Sequence, residues 1–148
     1  MYKIIITAIT IILLTSCGKK NKKQYSYWKV NGVEYSSNNC SLETNNRDIV
    51  QFSLDNKEFR VFLEFYLPAL PKEGRFLLVK TNAFQEYNKC ILSFGINSKW
   101  YRVSELSMNY IEADFLTGKS QRKLPPTWYF NNDDQNDSVL IEAVLNEP

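Results

Sequence analysis

The alternation of apolar and polar side chains is the feature that most constrains how this chain folds. From Tyr25 onward apolar residues recur at every second position, as at Phe59, Val61, Leu63 and Phe65. A period of two is that of a β-strand, whereas a helix needs a period of about 3.6 residues. No segment shows a convincing helical period. The sequence therefore predicts an all-β fold.

Turn residues divide the alternating segments into eight or nine short strands. Their predicted bounds are 28–30, 33–35, 49–54, 59–66, 75–79, 90–94, 100–103, 108–115 and 138–145. Strands at intervals of about 8–12 residues suit two packed sheets whose inner faces carry the Val, Ile, Leu and Phe residues. We therefore expect an antiparallel β-sandwich over residues 25–148, with an up-and-down β-barrel as the alternative.

Two hairpins are predicted from local sequence. Asn31-Gly32 separates two short strands, and both residue types tolerate the positive φ angles of a type I′ turn. The polar segment 55–58 separates the strands 49–54 and 59–66, so these strands form the second hairpin.

The first seventeen residues predict export. Lys3 supplies a positive charge, and residues 4–14 form an apolar run that covers only about half of a bilayer at 1.5 Å per residue. The residues that follow, Leu14-Thr15-Ser16-Cys17, resemble the bacterial lipobox. This resemblance implies a lipoprotein signal peptide over residues 1–16, acylation of Cys17 and attachment to a membrane through the N-terminal lipid.

Residues 17–24 are expected to form the lipidated cysteine and a disordered tether, because residues 18–24 are all glycine or polar and include four lysines. From Tyr25 onward the chain has 13 basic and 16 acidic residues. A slightly acidic domain gives no electrostatic reason to expect nucleic acid as a partner.

Cys40 and Cys90 are the two cysteines of the predicted domain. In an exported protein a pair of thiols is expected to be oxidised, so we expect a disulfide between them. The alternative is two separate small buried side chains, which suits Cys90 within its predicted strand.

The chain contains no histidine. This excludes the nucleophile systems that use histidine as a base and removes the commonest zinc ligand. Glu112 and Asp114 lie two residues apart on one strand face, at a spacing that two hydrolytic carboxylates can use.

The acidic segment 131–137 lacks the glycine and glutamate of a calcium loop, so a solvated turn is expected there. We predict no metal site, no cofactor and no catalysis, with a carboxylate-dependent hydrolase as the less favoured alternative.

Aromatic residues form the largest candidate binding surface. Trp100-Tyr101 and Trp128-Tyr129 are adjacent pairs, and adjacent side chains of a strand point to opposite faces. One ring of each pair must therefore face outward, where it can bind a sugar ring or an apolar partner surface. The alternative is that a neighbouring loop partly covers the outward ring.

Three segments resemble a group of small β-rich lipoproteins of the Bacteroidota. They are Trp28-Lys29-Val30-Asn31-Gly32-Val33-Glu34-Tyr35, Leu70-Pro71-Lys72-Glu73-Gly74-Arg75-Phe76 and Ile111-Glu112-Ala113-Asp114-Phe115 ahead of Gly118. The resemblance implies no activity. It implies an anchor that faces the periplasm, because Gly18-Lys19-Lys20 departs from the acidic signal for surface display. Asp137-Ser138-Val139 resembles an O-glycosylation site of that phylum, which would place a sugar on Ser138.

These features together predict a lipid-anchored protein of the cell envelope, at the outer membrane and facing the periplasm. Its domain is expected to bind an envelope protein or a glycan. An immunity or inhibitor lipoprotein that neutralises a toxin or lytic enzyme is the second interpretation.

Overall fold

A computed structural model describes residues 25–44, 50–55, 58–67, 69–80, 86–116 and 118–147. The predicted signal peptide, the lipobox Cys17 and the tether lie outside these residues. The all-β prediction is confirmed, since every regular element of the described chain is a strand. No helix among the described residues has the length and apolar character needed to cross a membrane.

Eleven strands follow one another along the described chain. They are β1 (Ser26–Val30), β2 (Val33–Ser37), β3 (Cys40–Thr44), β4 (Val50–Asp55), β5 (Phe59–Phe65), β6 (Gly74–Leu78), β7 (Lys89–Ile96), β8 (Lys99–Arg102), β9 (Tyr110–Leu116), β10 (Lys119–Asn131) and β11 (Ser138–Asn146). All belong to one hydrogen-bonded sheet in the order β2-β1-β11-β10-β9-β6-β7-β5-β4-β3, and β8 pairs with both β7 and β10.

The double pairing of β8 closes part of the sheet into a barrel of five strands, β10-β9-β6-β7-β8. The remaining strands extend from this ring as two wings, β11-β1-β2 from β10 and β5-β4-β3 from β7. The predicted sandwich is therefore wrong, because the strands do not separate into two sheets. The structure agrees with the barrel alternative, although the parallel pairing of β6 with β7 breaks the up-and-down order. Alternation specifies which face of a strand is buried, but it does not specify the strand's neighbours.

The hydrophobic core lies between the ring and its two wings. Trp28 of β1 packs edge-on against Phe59 of β5, with ring centroids 6.1 Å apart, and Tyr35 of β2 lies 4.0 Å from the same ring. These contacts join the wings across the interior. Each inward face carries the apolar residues of the alternating pattern, so their burial stabilises the closed sheet.

Both predicted hairpins are confirmed. Asn31 and Gly32 have φ angles of 49° and 85° between β1 and β2, as a type I′ turn requires. β4 and β5 pair antiparallel as the second hairpin.

The sequence analysis missed β3 and most of β10. Pro125 and Pro126 interrupt the alternation of β10, and the structure accommodates them in an irregularity between Leu124 and Thr127, where the pairing with β11 shifts register.

Candidate functional site

The four aromatic residues predicted for binding divide between the two faces of the sheet. Tyr101 is 5% exposed and Tyr129 is fully buried, so neither ring can meet a ligand at the surface. Their assignment as binding residues is therefore corrected: both belong to the core, because they occupy the inward positions of β8 and β10. Trp100 is half-buried and Trp128 is 53% exposed, so solvent reaches both of these rings.

Trp100 is held against the outer face of the barrel by its neighbours. Its indole packs on Phe62 of β5, with ring centroids 5.4 Å apart. Gly95 is its register partner on β7, and a Cβ at Gly95 would lie 3.2 Å from the indole ring. The absence of a side chain at Gly95 thus lets the indole approach the sheet. This packing fixes the orientation of a ring that solvent still reaches.

A hollow with a volume of about 890 Å³ lies beside Trp100. Three parts of the described chain line it: the link between β2 and β3, the end of β4 with the start of β5, and the β7–β8 hairpin. Its lining residues are Asn39, Asp55, Glu58, Phe59, Arg60, Gly95, Asn97, Ser98, Lys99 and Trp100. The hollow is within the size range of ligand sites and combines an aromatic wall with hydrogen-bonding groups.

The β7–β8 turn forms part of the rim of this hollow. Asn97 and Ser98 have φ angles of 48° and 67°, a conformation that is costly for residues other than glycine. Asparagine tolerates it better than serine does. Positive φ angles at both central residues are what a two-residue type I′ turn requires, so this geometry belongs to the β7–β8 hairpin that borders the hollow.

Two smaller hollows lie next to Trp100 and Arg102 on the same outer face. The first, of about 290 Å³, is lined by Phe62, Glu64, Ser93, Trp100, Arg102 and Asn132. The second, of about 310 Å³, shares Arg102 and is lined also by Lys80, Val103, Ser104, Glu105, Leu106, Phe130, Asn131 and Gln135. Trp100 thus borders the hollow of about 890 Å³ and the hollow of about 290 Å³. Arg102 borders both of the smaller hollows. We call the three together the Trp100 groove.

Arg102 is positioned within the Trp100 groove by two hydrogen bonds. Its Nε donates to Ser93 Oγ at 3.2 Å, and its Nη1 donates to the Lys80 carbonyl oxygen at 3.4 Å. Glu64 lies in the same small hollow, where partial burial raises the pKa of its carboxyl despite the opposing influence of Arg102. The groove therefore presents both donors and acceptors at its centre.

The charges around the large hollow are paired. Arg60 Nε lies 3.6 Å from Asp55 Oδ2, and Lys99 Nζ lies 2.7 Å from Asp137 Oδ2. Asp137 also accepts hydrogen bonds from Tyr101 Oη and from Asn131 Nδ2. The bond from Lys99, followed by that from Asn131, lowers the pKa of Asp137. The same carboxylate raises the pKa of Lys99. The hollow is therefore bordered by two ion pairs.

Trp128 lies on the outer face of β10, where its register partner on β11 is Leu140. It is two residues from Phe130, which pairs with Arg102 of β8. Trp128 does not line any of the three hollows. The structure therefore separates two tryptophans that the sequence analysis placed in one surface.

Glu112 and Asp114 share the outer face of β9, as predicted, but each has a basic neighbour. Glu112 lies 3.8 Å from Arg75 Nε, and Asp114 lies 2.9 Å from Lys123 Nζ. Both carboxylates are well exposed, and neither lines the Trp100 groove. Their surroundings are those of surface ion pairs, so the geometry gives no support to a hydrolytic pair.

The predicted disulfide is not formed: within the described chain both Cys40 and Cys90 are free thiols. Register explains the correction. Cys40 on β3 aligns through β4 and β5 with Phe94 on β7, which is four residues from Cys90. Cys40 and Cys90 are therefore three strands apart across the sheet, at about 4.8 Å per strand, and four residues apart along it, at about 3.4 Å per residue. The Cα atoms of a disulfide lie within about 7 Å of each other, so these two residues are too far apart to form one. Cys90 is buried, and this burial raises the pKa of its thiol.

The acidic segment before β11 is an ordered turn. Asn131 Oδ1 accepts from the Asp133 N–H at 3.1 Å, and Asp134 Oδ1 accepts from the Asn136 N–H at 2.9 Å. No group of three acidic or thiol side chains suited to a metal ion occurs among the residues that the structure describes. Ser138, the predicted glycosylation site, is half-buried and is the first residue of β11.

The Trp100 groove includes residues that the sequence analysis did not predict for binding. Arg60, Gly95 and Arg102 come from β5, β7 and β8, and no local spacing joins them. Comparison of the chain with protein-family models, curated proteins and solved structures finds no significant match.

Proposed function

We propose that this protein is a lipid-anchored envelope protein whose domain binds a glycan in the Trp100 groove and catalyses no reaction. The observation that carries the proposal is the partly exposed indole of Trp100, which packs against Phe62 and over Gly95 beside a hollow of about 890 Å³. An aromatic face gives apolar contact area to a sugar ring. The surrounding amides and charged groups supply hydrogen bonds for hydroxyls.

The length of the groove supports a chain of several sugars over a single one. Trp100 and Arg102 are two residues apart on the outer face of β8, so they are separated by about 7 Å. The hollows they share extend in both directions from this pair. An extended oligosaccharide can contact both residues at once, and each end of the chain then meets a polar hollow.

The anchor and the location rest on the sequence. The run 4–14 and the lipobox-like residues 14–17 support export and acylation at Cys17, and Gly18-Lys19-Lys20 supports an orientation toward the periplasm. A tethered binding domain there meets envelope glycans at high local concentration. This setting is why a glycan of the cell envelope is the proposed ligand.

The test measures binding of soluble envelope oligosaccharides, including peptidoglycan fragments, to the full chain in detergent by calorimetry. Trp100→Ala removes the ring and is expected to weaken binding about thirtyfold, which is the usual cost of truncating an aromatic anchor. Trp128→Ala is the matched control, because it removes an exposed tryptophan outside the groove; its affinity should equal that of the unchanged protein.

Gly95→Ala provides a second test that keeps every groove side chain. The added methyl would lie 3.2 Å from the indole, so the Trp100 ring must shift by a few tenths of an ångström. We expect weaker binding than in the unchanged chain, with a melting temperature close to that of the unchanged chain. Equal affinity of Trp100→Ala and Trp128→Ala would contradict the proposal. Failure of all oligosaccharides to bind, with stoichiometric capture of one protein from envelope extracts, would instead support the immunity or inhibitor interpretation.

A further inference from the structure

Two basic side chains line the hollow of about 310 Å³ at one end of the Trp100 groove. They are Arg102 of β8 and Lys80, which follows β6. The hydrogen bond from Arg102 Nη1 to the Lys80 carbonyl oxygen joins these two positions directly. Glu105 is the one acidic residue of the described chain that lines the same hollow. This end of the groove therefore carries an excess of positive charge.

The guanidinium of Arg102 has one nitrogen available for a ligand. Its Nε is bonded to Ser93 and its Nη1 to the Lys80 main chain, whereas Nη2 has no partner among the described residues. The buried polar atoms that lack a partner belong to other residues, so Nη2 of Arg102 is open to solvent. No carboxylate of the described chain forms an ion pair with Arg102. The two bonds thus hold a cation in place and leave one donor free.

The ion pair of Lys80 is weak by comparison. Its Nζ lies 3.9 Å from Glu105 Oε1, which is longer than a hydrogen bond. The side chain of Glu105 is 74% exposed, and exposed ion pairs of this kind contribute little to stability. Glu105 can therefore turn toward water at little cost, and a ligand carboxylate can take its place beside Lys80.

The excess of positive charge is confined to this end of the Trp100 groove. Around the hollow of about 890 Å³, Arg60 and Lys99 each have a carboxylate partner. In the hollow of about 290 Å³, Arg102 faces the acidic Glu64. An anionic group on a bound ligand is therefore attracted to the hollow that Lys80 and Arg102 line and repelled from the side of Glu64.

We propose that the ligand of the Trp100 groove is an acidic oligosaccharide, and that one of its carboxylates binds Arg102 Nη2 and Lys80 Nζ while a neighbouring sugar ring packs on Trp100. This inference rests on the proposed glycan binding and names the chemical class of the glycan. Trp100 and Arg102 lie two residues apart on the outer face of β8, so one sugar chain can reach both.

The charge and the donors of this hollow favour a carboxylate over other anionic groups. A carboxylate accepts charge-assisted hydrogen bonds from both guanidinium and ammonium groups. Its single negative charge balances two basic residues that share one acidic neighbour. A phosphate monoester carries nearly two negative charges at neutral pH and would exceed this balance.

The test compares acidic oligosaccharides with their carboxyl-reduced forms, in which each carboxylate is replaced by a hydroxymethyl group. Peptide-free peptidoglycan oligosaccharides and oligogalacturonates are the two probes. Both forms of each probe are titrated into the full chain in detergent, and the affinities are measured by calorimetry. We expect at least one acidic probe to bind about tenfold more tightly than its reduced form, because only the acidic form makes charge-assisted hydrogen bonds.

Three variants locate this preference for the acidic form. Arg102→Gln and Lys80→Gln should each lower the ratio of the two affinities at least about threefold, because each removes one cation from the hollow. The ratio is taken within each variant, so a general loss of affinity does not change it. Arg75→Gln is the matched control, since it removes an exposed arginine outside the groove and should keep the ratio of the unchanged protein.

The possible failures of the two proposals are distinguishable. Equal binding of the acidic and reduced forms, binding of reduced forms alone, or an unchanged ratio in both groove variants would overturn the acidic ligand and leave glycan binding in place. If Arg102→Gln does not fold, Lys80→Gln decides, because it keeps the main-chain carbonyl that Arg102 bonds. Failure of every oligosaccharide to bind, acidic or neutral, would overturn the proposed function and this inference with it.

Discussion

Two buried tyrosines of the barrel differ in whether their hydroxyl groups have a partner. Tyr101 Oη donates to the Asp137 carboxylate at 3.1 Å, whereas Tyr129 Oη has no partner among the described residues. Burial raises the pKa of both hydroxyls, and for Tyr129 the nearby Cys90 adds to the effect. Both residues were predicted as binding residues from their tryptophan neighbours. Their hydroxyls instead contribute to stability in opposite directions.

Replacement by phenylalanine tests this difference. Tyr129→Phe removes a hydroxyl that bonds water in the unfolded chain and has no partner among the described residues of the fold. The free energy of unfolding should therefore stay the same or rise by about 1 kcal/mol. Tyr101→Phe removes a bond to a charged acceptor, and the midpoint of urea unfolding should fall. Urea denaturation of both variants at pH 7 measures the two effects. A fall in stability for Tyr129→Phe equal to that for Tyr101→Phe would show that the Tyr129 hydroxyl has a partner after all.

At the scale of elements, the turn between β10 and β11 is joined to β8 through Asp137. This carboxylate bonds Lys99 and Tyr101 of β8 and Asn131 at the end of β10. The Asn132 N–H adds a bond of 2.8 Å to the Trp100 carbonyl oxygen. The short strand β8 is therefore held on one side by β7 and on the other by β10 and this turn. That arrangement closes the barrel and fixes the position of Trp100.

The link through Asp137 should make stability depend on pH. Because its pKa in the folded chain lies below the ordinary value, the charged carboxylate stabilises the fold at neutral pH. This contribution is lost as the pH falls through the lowered pKa, below about 4. Asp137→Asn should therefore be less stable than the unchanged chain at pH 7, and the difference should shrink by pH 3. Urea unfolding across this range checks the expectation, and a difference that stays constant with pH would contradict it.

At the scale of the whole molecule, a single curled sheet separates an inner and an outer surface with different chemistry. The inner surface holds the core and the buried Arg122. The outer surface carries the Trp100 groove, which gathers side chains from the β2–β3 link, the β4–β5 hairpin and strands β7 and β8. The proposed lipid at Cys17 adds a third functional part, since it would hold this binding surface at the membrane.

Replacing the proposed lipid attachment site tests the anchor. Cys17→Ala should leave a precursor that migrates more slowly than the mature protein and no longer enters the detergent phase, because acyl chains contribute about 0.8 kcal/mol of membrane binding per methylene. Cys40→Ala is the matched control, since it removes a thiol of the folded domain. Gel mobility and detergent partitioning are the measurements. Normal processing and partitioning of Cys17→Ala would refute acylation at this residue.

The sequence was sufficient for features set by near neighbours in the chain. Alternation identified the inward face of β5, and Asn31-Gly32 specified its turn through positive φ angles. The same rule correctly predicted that Trp128 and Tyr129 face opposite ways. It could not assign β10, because Pro125 and Pro126 disrupt the alternation locally while pairing with β11 and β9 maintains the strand.

The sequence by itself determined the all-β class, the two hairpins and the inward face of β5, since each depends on φ preferences or on a period of two along the chain. Only the tertiary structure decided the remaining features. Closure of the ring requires β8 to meet both β7 and β10, and the distance between Cys40 and Cys90 depends on the strands between them. The Trp100 groove and the burial of Arg122 likewise arise from contacts between residues far apart in sequence, which no local pattern encodes.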